Sequence, residues 1–183
     1  MKLFAAIAMP VAWAIYGVGP ALHHATLATA LALALLAAAF VPRPKLAKPI
    51  DLATAFFFAV VLIGIDGLRL PWLAAVEKGL APSLFALLAF GSLGVGRPFT
   101  VPYAKEVAPR EAWGTPLFLI VNRILTACWG GAFVAMAALR FAPIRPEWIG
   151  ALACGAILGA MLLLTKVFPD WYQARHDDDG NPK

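Results

Sequence analysis

Residues able to do chemistry are few in this chain, and they gather in three places. The densest is segment 96–113, reading GRPFTVPYAKEVAPREAW. It carries the cations Arg97, Lys105 and Arg110, the carboxylates Glu106 and Glu111, and the rings Phe99, Tyr103 and Trp113. Rings with one polar edge settle at headgroup depth, and Lys or Arg placed there meets lipid phosphate. The segment therefore reads as an interfacial anchor or as a binding surface for lipid or a protein partner. The second place is Asn122, Arg123, Thr126 and Trp129. Asn122, Thr126 and Trp129 recur at i, i+4 and i+7, one stripe of a helix, with Arg123 beside it. Arg123 lies about 10 Å into a helix that starts near residue 116. A cation at that depth either snorkels to the interface or pairs with a carboxylate, and Glu106 and Glu111 are the nearest in sequence. The expected contact joins Arg123 to a carboxylate or carbonyl of residues 103–113.

The third place holds His23, His24, Asp66, Arg69, Glu77 and Lys78, at the other ends of the apolar runs. His23, His24, Asp66 and Glu77 are weak metal candidates. Adjacent histidines diverge by about 100° on a helix of 3.6 residues per turn, so both cannot easily face one ion. The other histidine, His176, lies in the tail at the opposite side, which speaks against a haem held by two histidines. Asp66 and Arg69, three apart, read as a local ion pair. No metal and no cofactor is expected. HExxH, GxSxG, P-loop and GxGxxG patterns are missing, and Thr100, Thr115 and Thr126 have no histidine base nearby, so no catalytic residue is assigned. Cys128 and Cys154 sit in apolar runs without metal-ligand spacing and read as small buried hydrophobes.

The elements that must position these groups follow from composition. Of 183 residues, 62% are hydrophobic and 14% charged, against roughly 45–50% and 25% in a soluble domain. So much apolar surface needs lipid as its solvent, which excludes a soluble enzyme, a disordered chain and a nucleic-acid-binding domain. The net charge of +5 is spread in short clusters between apolar runs and reads as topology information. Six runs qualify as spans: 3–18, 21–41, 52–68, 80–95 with a backward extension to 72, 116–139 and 148–168. The first is short and reads as a retained span that turns at Gly19 and Pro20. Prolines mark the breaks at Pro42, Pro44 and Pro49, and again at Pro143 and Pro146.

With the N-terminus inside, the cytoplasmic segments hold ten Lys and Arg residues and the outer loops hold four, namely Arg69, Lys78, Arg140 and Arg145. The excess puts both termini in the cytoplasm with six spans. The expectation is an all-α, six-span bundle over 1–169, with 96–115 as an interfacial cytoplasmic loop and 170–183 as a polar cytoplasmic tail, solvated and frayed over 175–180. Arg43-Pro44 echoes Arg145-Pro146, a thin sign of an inverted repeat. Glycine pairs at 64 and 67, 91 and 94, 130 and 131, and the GxxxG of Gly155 and Gly159, favour close helix contact. The GxxxG serves either packing within the bundle or a homodimer.

From Arg97 to Phe133 the order of residues resembles the intracellular septation protein A family of bacterial inner-membrane proteins. The order is Arg97-Pro98, Lys105-Glu106, Pro109, Trp113, Asn122, Trp129 and Phe133, with Lys78 and Leu84-Phe85 upstream at a similar distance. The similarity spans residues 72–133, and the spacings from Trp113 to Trp129 are looser than the family pattern. The resemblance implies a multi-pass inner-membrane protein tied to envelope integrity and cell division, with Arg97, Lys105, Glu106, Trp113, Asn122 and Trp129 as the positions that matter. A non-enzymatic envelope protein acting through lipid or division partners is the leading expectation. A small transporter or channel with its site on the fifth span is the alternative, and a membrane enzyme or redox subunit the second.

Overall fold

The computed structural model describes residues 2–19, 23–42 and 44–177; Met1, Pro20, Ala21, Leu22, Arg43 and the tail end 178–183 lie outside them. The fold is all-helical, with no strand among the described residues. The helices are α1 (Lys2–Val18), α2 (Ala25–Phe40), α3 (Pro49–Val60), α4 (Pro71–Gly94), α5 (Val101–Val107), α6 (Pro116–Phe141) and α7 (Glu147–Asp177). Short 3-10 turns occupy Pro44–Leu46 and Arg110–Ala112, and α3 continues as a π-helix over Val61–Gly67. Four stretches are long and apolar enough to cross a membrane: Pro49–Gly67, Pro71–Gly94, Pro116–Phe141 and Trp148–Arg175. At 17 and 16 residues, α1 and α2 are shorter apolar helices, at the lower edge of the roughly 17–25 residues that cross a bilayer.

The chain divides into two compact units, Met1–Leu84 and Phe85–Lys183, with the division falling inside α4. In the first unit, α1 packs on α2, and α2 on α3 and the π-helix. The α1–α2 contact is made of small residues: Ala8, Ala12, Ala32 and Ala39 are buried, with Leu36 among them. Such residues let two backbones approach where no hydrophobic force drives helices together. An aromatic cluster caps this core. Trp13 stacks on Phe57 at 5.4 Å between centroids, and Phe58 lies 5.1 Å from Trp13 and 5.2 Å from Tyr16. Asp51, buried near the start of α3, accepts from the Lys48 backbone N–H at 2.9 Å and so caps the helix.

In the second unit, α6 packs on α7, and α5 leans on α6. Phe85 and Phe133 meet at 5.3 Å between α4 and α6. Gly130 is buried where the Phe90 ring crosses α6; a Cβ there would lie 2.8–3.0 Å from three ring atoms. Gly155 and Gly159 behave otherwise. Both are exposed, and a Cβ on either would meet nothing within 4 Å. The GxxxG is therefore not what joins α7 to α6. The end of α7 carries the helix into the polar tail as far as Asp177, and the rest of the stretch expected to fray, 178–180, lies outside the described residues. The helix runs through Pro169 to Asp177, with Phe168, Trp171 and Tyr172 clustered at 5.4–5.9 Å and the Arg175 guanidinium over Trp171 at 5.6 Å. Rings one turn apart and a cation four residues on support this last stretch.

Candidate functional site: the segment between α4 and α6

The segment begins with a helix stop. Gly96 adopts a left-handed backbone (φ 70°), its N–H donates to Leu93 O, and the Arg97 N–H donates to Ser92 O, both at 2.9 Å. This is a Schellman closure, in which glycine alone takes the required φ without strain. The Phe99 N–H then donates to Ser92 Oγ at 3.1 Å. Pro98, Phe99 and Thr100 are buried, so the chain is fixed before α5 begins. The Arg97-Pro98 pair thus terminates α4, while the Arg97 side chain is exposed.

Thr100 is the tie to α6. Its hydroxyl lies 3.0 Å from Asn122 O, to which it donates, and 2.8 Å from Thr126 Oγ1. All three residues are buried. Asn122 Nδ2 donates to Phe118 O at 2.8 Å, which fixes the amide, because a flip would set two acceptors against each other. Among the described residues, Asn122 Oδ1 is buried with no hydrogen-bond partner. The polar stripe expected on the fifth span is therefore split. Asn122 and Thr126 meet the segment, whereas Trp129 turns toward α7, donating from Nε1 to Thr165 Oγ1 at 3.0 Å and packing on Phe133 at 5.3 Å.

Arg123 does not make the expected contact. It is exposed on α6, and among the described residues it forms no ion pair or hydrogen bond with residues 103–113. The reason is angular. Arg123 is about 100° around the helix from Asn122, and Asn122 is the residue that faces the segment. Thr100 supplies the tie that Arg123 was expected to give. Its type and neighbours, a small polar residue between Phe99 and Val101, gave no periodic signal that could have singled it out.

Beyond Thr100 the segment turns its charges outward. Tyr103 is half-buried, edge-on to Phe99 at 6.4 Å. Lys105, Glu106, Arg110 and Glu111 are exposed. Trp113 Nε1 donates to Ala108 O at 3.1 Å, which fixes the indole. Over that ring lie Lys105 Nζ at 5.1 Å and Arg110 Cζ at 5.8 Å from its centroid. Each such contact is worth on the order of 0.5–1 kcal/mol at an exposed site. The structure thus brings Lys105, Arg110 and Trp113 together, and separately Asn122 and Thr126 with Thr100. Arg97, Arg123 and Trp129 join neither group.

The four weak metal candidates do not form a ligand set. Among the described residues no three His, Cys, Asp or Glu side chains come together as one. Asp66 accepts from Thr26 Oγ1 at 2.6 Å, and Glu77 accepts from the Tyr16 hydroxyl. Glu77 and Lys78 lie inside α4, since that helix starts at Pro71. The expected Asp66–Arg69 pair is absent among the described residues, because Asp66 sits in the π-helix and Arg69 takes a left-handed backbone (φ 52°) that breaks the i, i+3 alignment. His23 and His24 border an open depression with Thr26, Leu27 and Ala30.

The helices define a multi-pass helical membrane protein with a structured polar segment between two of its membrane-length helices. No family model, no curated protein and no solved structure matches the chain.

Proposed function

We propose that this is a bacterial inner-membrane protein with six spans and both termini in the cytoplasm, serving envelope maintenance or division through lipid or protein partners and without chemistry of its own. One observation carries the reading. Segment 96–113 is fastened to the membrane-length helices by Ser92, Thr100 and Asn122, yet it presents Lys105, Arg110 and Trp113 outward. A segment anchored on one side and charged on the other suits recognition at the headgroup layer. The order of residues from Arg97 to Phe133, similar to the septation protein A family, supports the envelope role. The transporter reading needs a water-filled space at Asn122, Arg123 and Trp129. Thr100 occupies the place beside Asn122, and Trp129 is engaged with Thr165, so the polar groups of α6 favour packing over transport.

Single cysteines test the topology in a background lacking Cys128 and Cys154. An impermeant maleimide should label positions 45 and 107 only in inverted vesicles, and positions 69 and 145 only in right-side-out ones. Labelling of 45 and 69 from the same side overturns the six-span arrangement. For the role itself, deleting the gene in its host should delay septation or sensitise the envelope to detergent and osmotic shock. Normal division with an unchanged permeability barrier would remove the envelope reading.

A further inference from the structure

We propose that Lys105, Arg110 and Trp113 form a binding site for the phosphodiester of an anionic phospholipid headgroup. The proposal rests on the interfacial reading of segment 96–113. Two cations are gathered on one indole, at 5.1 and 5.8 Å from its centroid. The ring is held by its own N–H, which is committed to Ala108 O at 3.1 Å. Long basic side chains ordinarily lose rotamer freedom when they bind, and a ring that already orders them removes part of that cost. Contact with the π-face also leaves N–H donors free. An ammonium has three and a guanidinium five, and only some can point at the ring. Both residues are exposed, so the remaining donors are open to a ligand.

Charge and apolar surface select the ligand. Segment 96–113 holds three cations (Arg97, Lys105, Arg110) and two carboxylates (Glu106, Glu111), a net of +1. That balance disfavours polyanions and suits a phosphodiester, which carries one charge and two free oxygens for two cationic donors. Val107, between the two cations in sequence, is 88% exposed. A soluble phosphate leaves that side chain in water, whereas a lipid covers it with its glycerol and acyl region. The occupant is therefore a lipid.

The test uses the full-length protein with equimolar phosphatidylglycerol and phosphatidylcholine, the retained lipid being counted by native mass spectrometry. Lys105→Gln/Arg110→Gln should lower the phosphatidylglycerol preference by about thirty-fold, from the loss of two charge-assisted hydrogen bonds to the phosphodiester. Lys45→Gln/Lys166→Gln removes the same charge from the same side, reports the diffuse attraction alone, and should lower the preference several-fold less, since it leaves the Trp113 pair intact. Equal losses in the two double variants would overturn the site, leaving only diffuse electrostatics. Inorganic phosphate at millimolar concentration should not displace the lipid; displacement would assign the site to soluble phosphate and overturn the proposal. A bimane on Val107→Cys separates the two readings. Quenching by brominated lipid with an unchanged preference in Lys105→Gln/Arg110→Gln overturns the site but keeps the interfacial segment. No quenching removes both.

Discussion

Replacing Thr100 with valine keeps the shape of a buried side chain and removes its hydroxyl. Two hydrogen bonds go, one to Asn122 O at 3.0 Å and one shared with Thr126 at 2.8 Å. Each is worth about 1 kcal/mol net, and a buried partner left alone costs about 1–3 kcal/mol. The loss is softened, because the Thr126 hydroxyl can turn to the carbonyl four residues back, which is Asn122 O. Thr100→Val should therefore destabilise by about 1–2 kcal/mol. A double-mutant cycle with Thr126→Val isolates the shared bond and should give a coupling of about 1 kcal/mol. Reversible unfolding in detergent micelles measures both quantities. In the same assay, adding Glu106→Arg to Arg123→Glu should recover nothing, since Arg123 lies exposed off the segment. Additivity of Thr100→Val and Thr126→Val within about 0.3 kcal/mol would refute the tie. So would rescue of Arg123→Glu by Glu106→Arg.

Three further outcomes follow from local geometry. Gly96→Ala places a side chain in left-handed backbone with open space around it, and should cost about 1–2 kcal/mol of unfolding free energy from conformation alone. Gly130→Ala drives a methyl into the Phe90 ring and should cost about 1–3 kcal/mol, while Gly131→Ala, with nothing within 4 Å, should be neutral or stabilising by up to about 1 kcal/mol; melting temperatures of the two variants should move in opposite directions or only one should fall. Tyr16→Phe removes the hydroxyl that holds Glu77, and a bond to a carboxylate is worth about 1.5–3 kcal/mol, so the loss should appear as a lower denaturation midpoint.

What could be read from the residues, and what could not, divides along physical lines. The apolar runs and their proline breaks foretell α2, α3, α6 and most of α7 because burial in lipid needs only composition and length. The backward extension of the fourth run to Trp72 matches α4, which starts at Pro71. Angle and local winding are harder. Asn122 and Arg123 are neighbours in sequence, but their helical separation decides that one is buried and the other exposed. The π-helix over Val61–Gly67 carries no recognisable pattern, and it moves Asp66 away from Arg69 and into reach of Thr26. Lys105, Arg110 and Trp113 were legible as residue types for an interface. Their convergence on one ring depends on the bend at Pro109 and the turn Arg110–Ala112, which spacing alone does not reveal.

Helix α7 has a length that outruns its setting. Its 31 residues rise about 46 Å at 1.5 Å each, while a hydrocarbon layer is about 30 Å thick. About 15 Å of rod must stand clear of the oily layer or be taken up by tilt. The polar end, from Asp170 onward, is the part suited to water, and the rings at Phe168, Trp171 and Tyr172 mark where the rod leaves the lipid. The helix is then a stand-off post whose last described turn, ending at Asp177, reaches beyond the oily layer. A label placed at its tip should report a fixed height above the membrane surface, as a mast does and a tether does not.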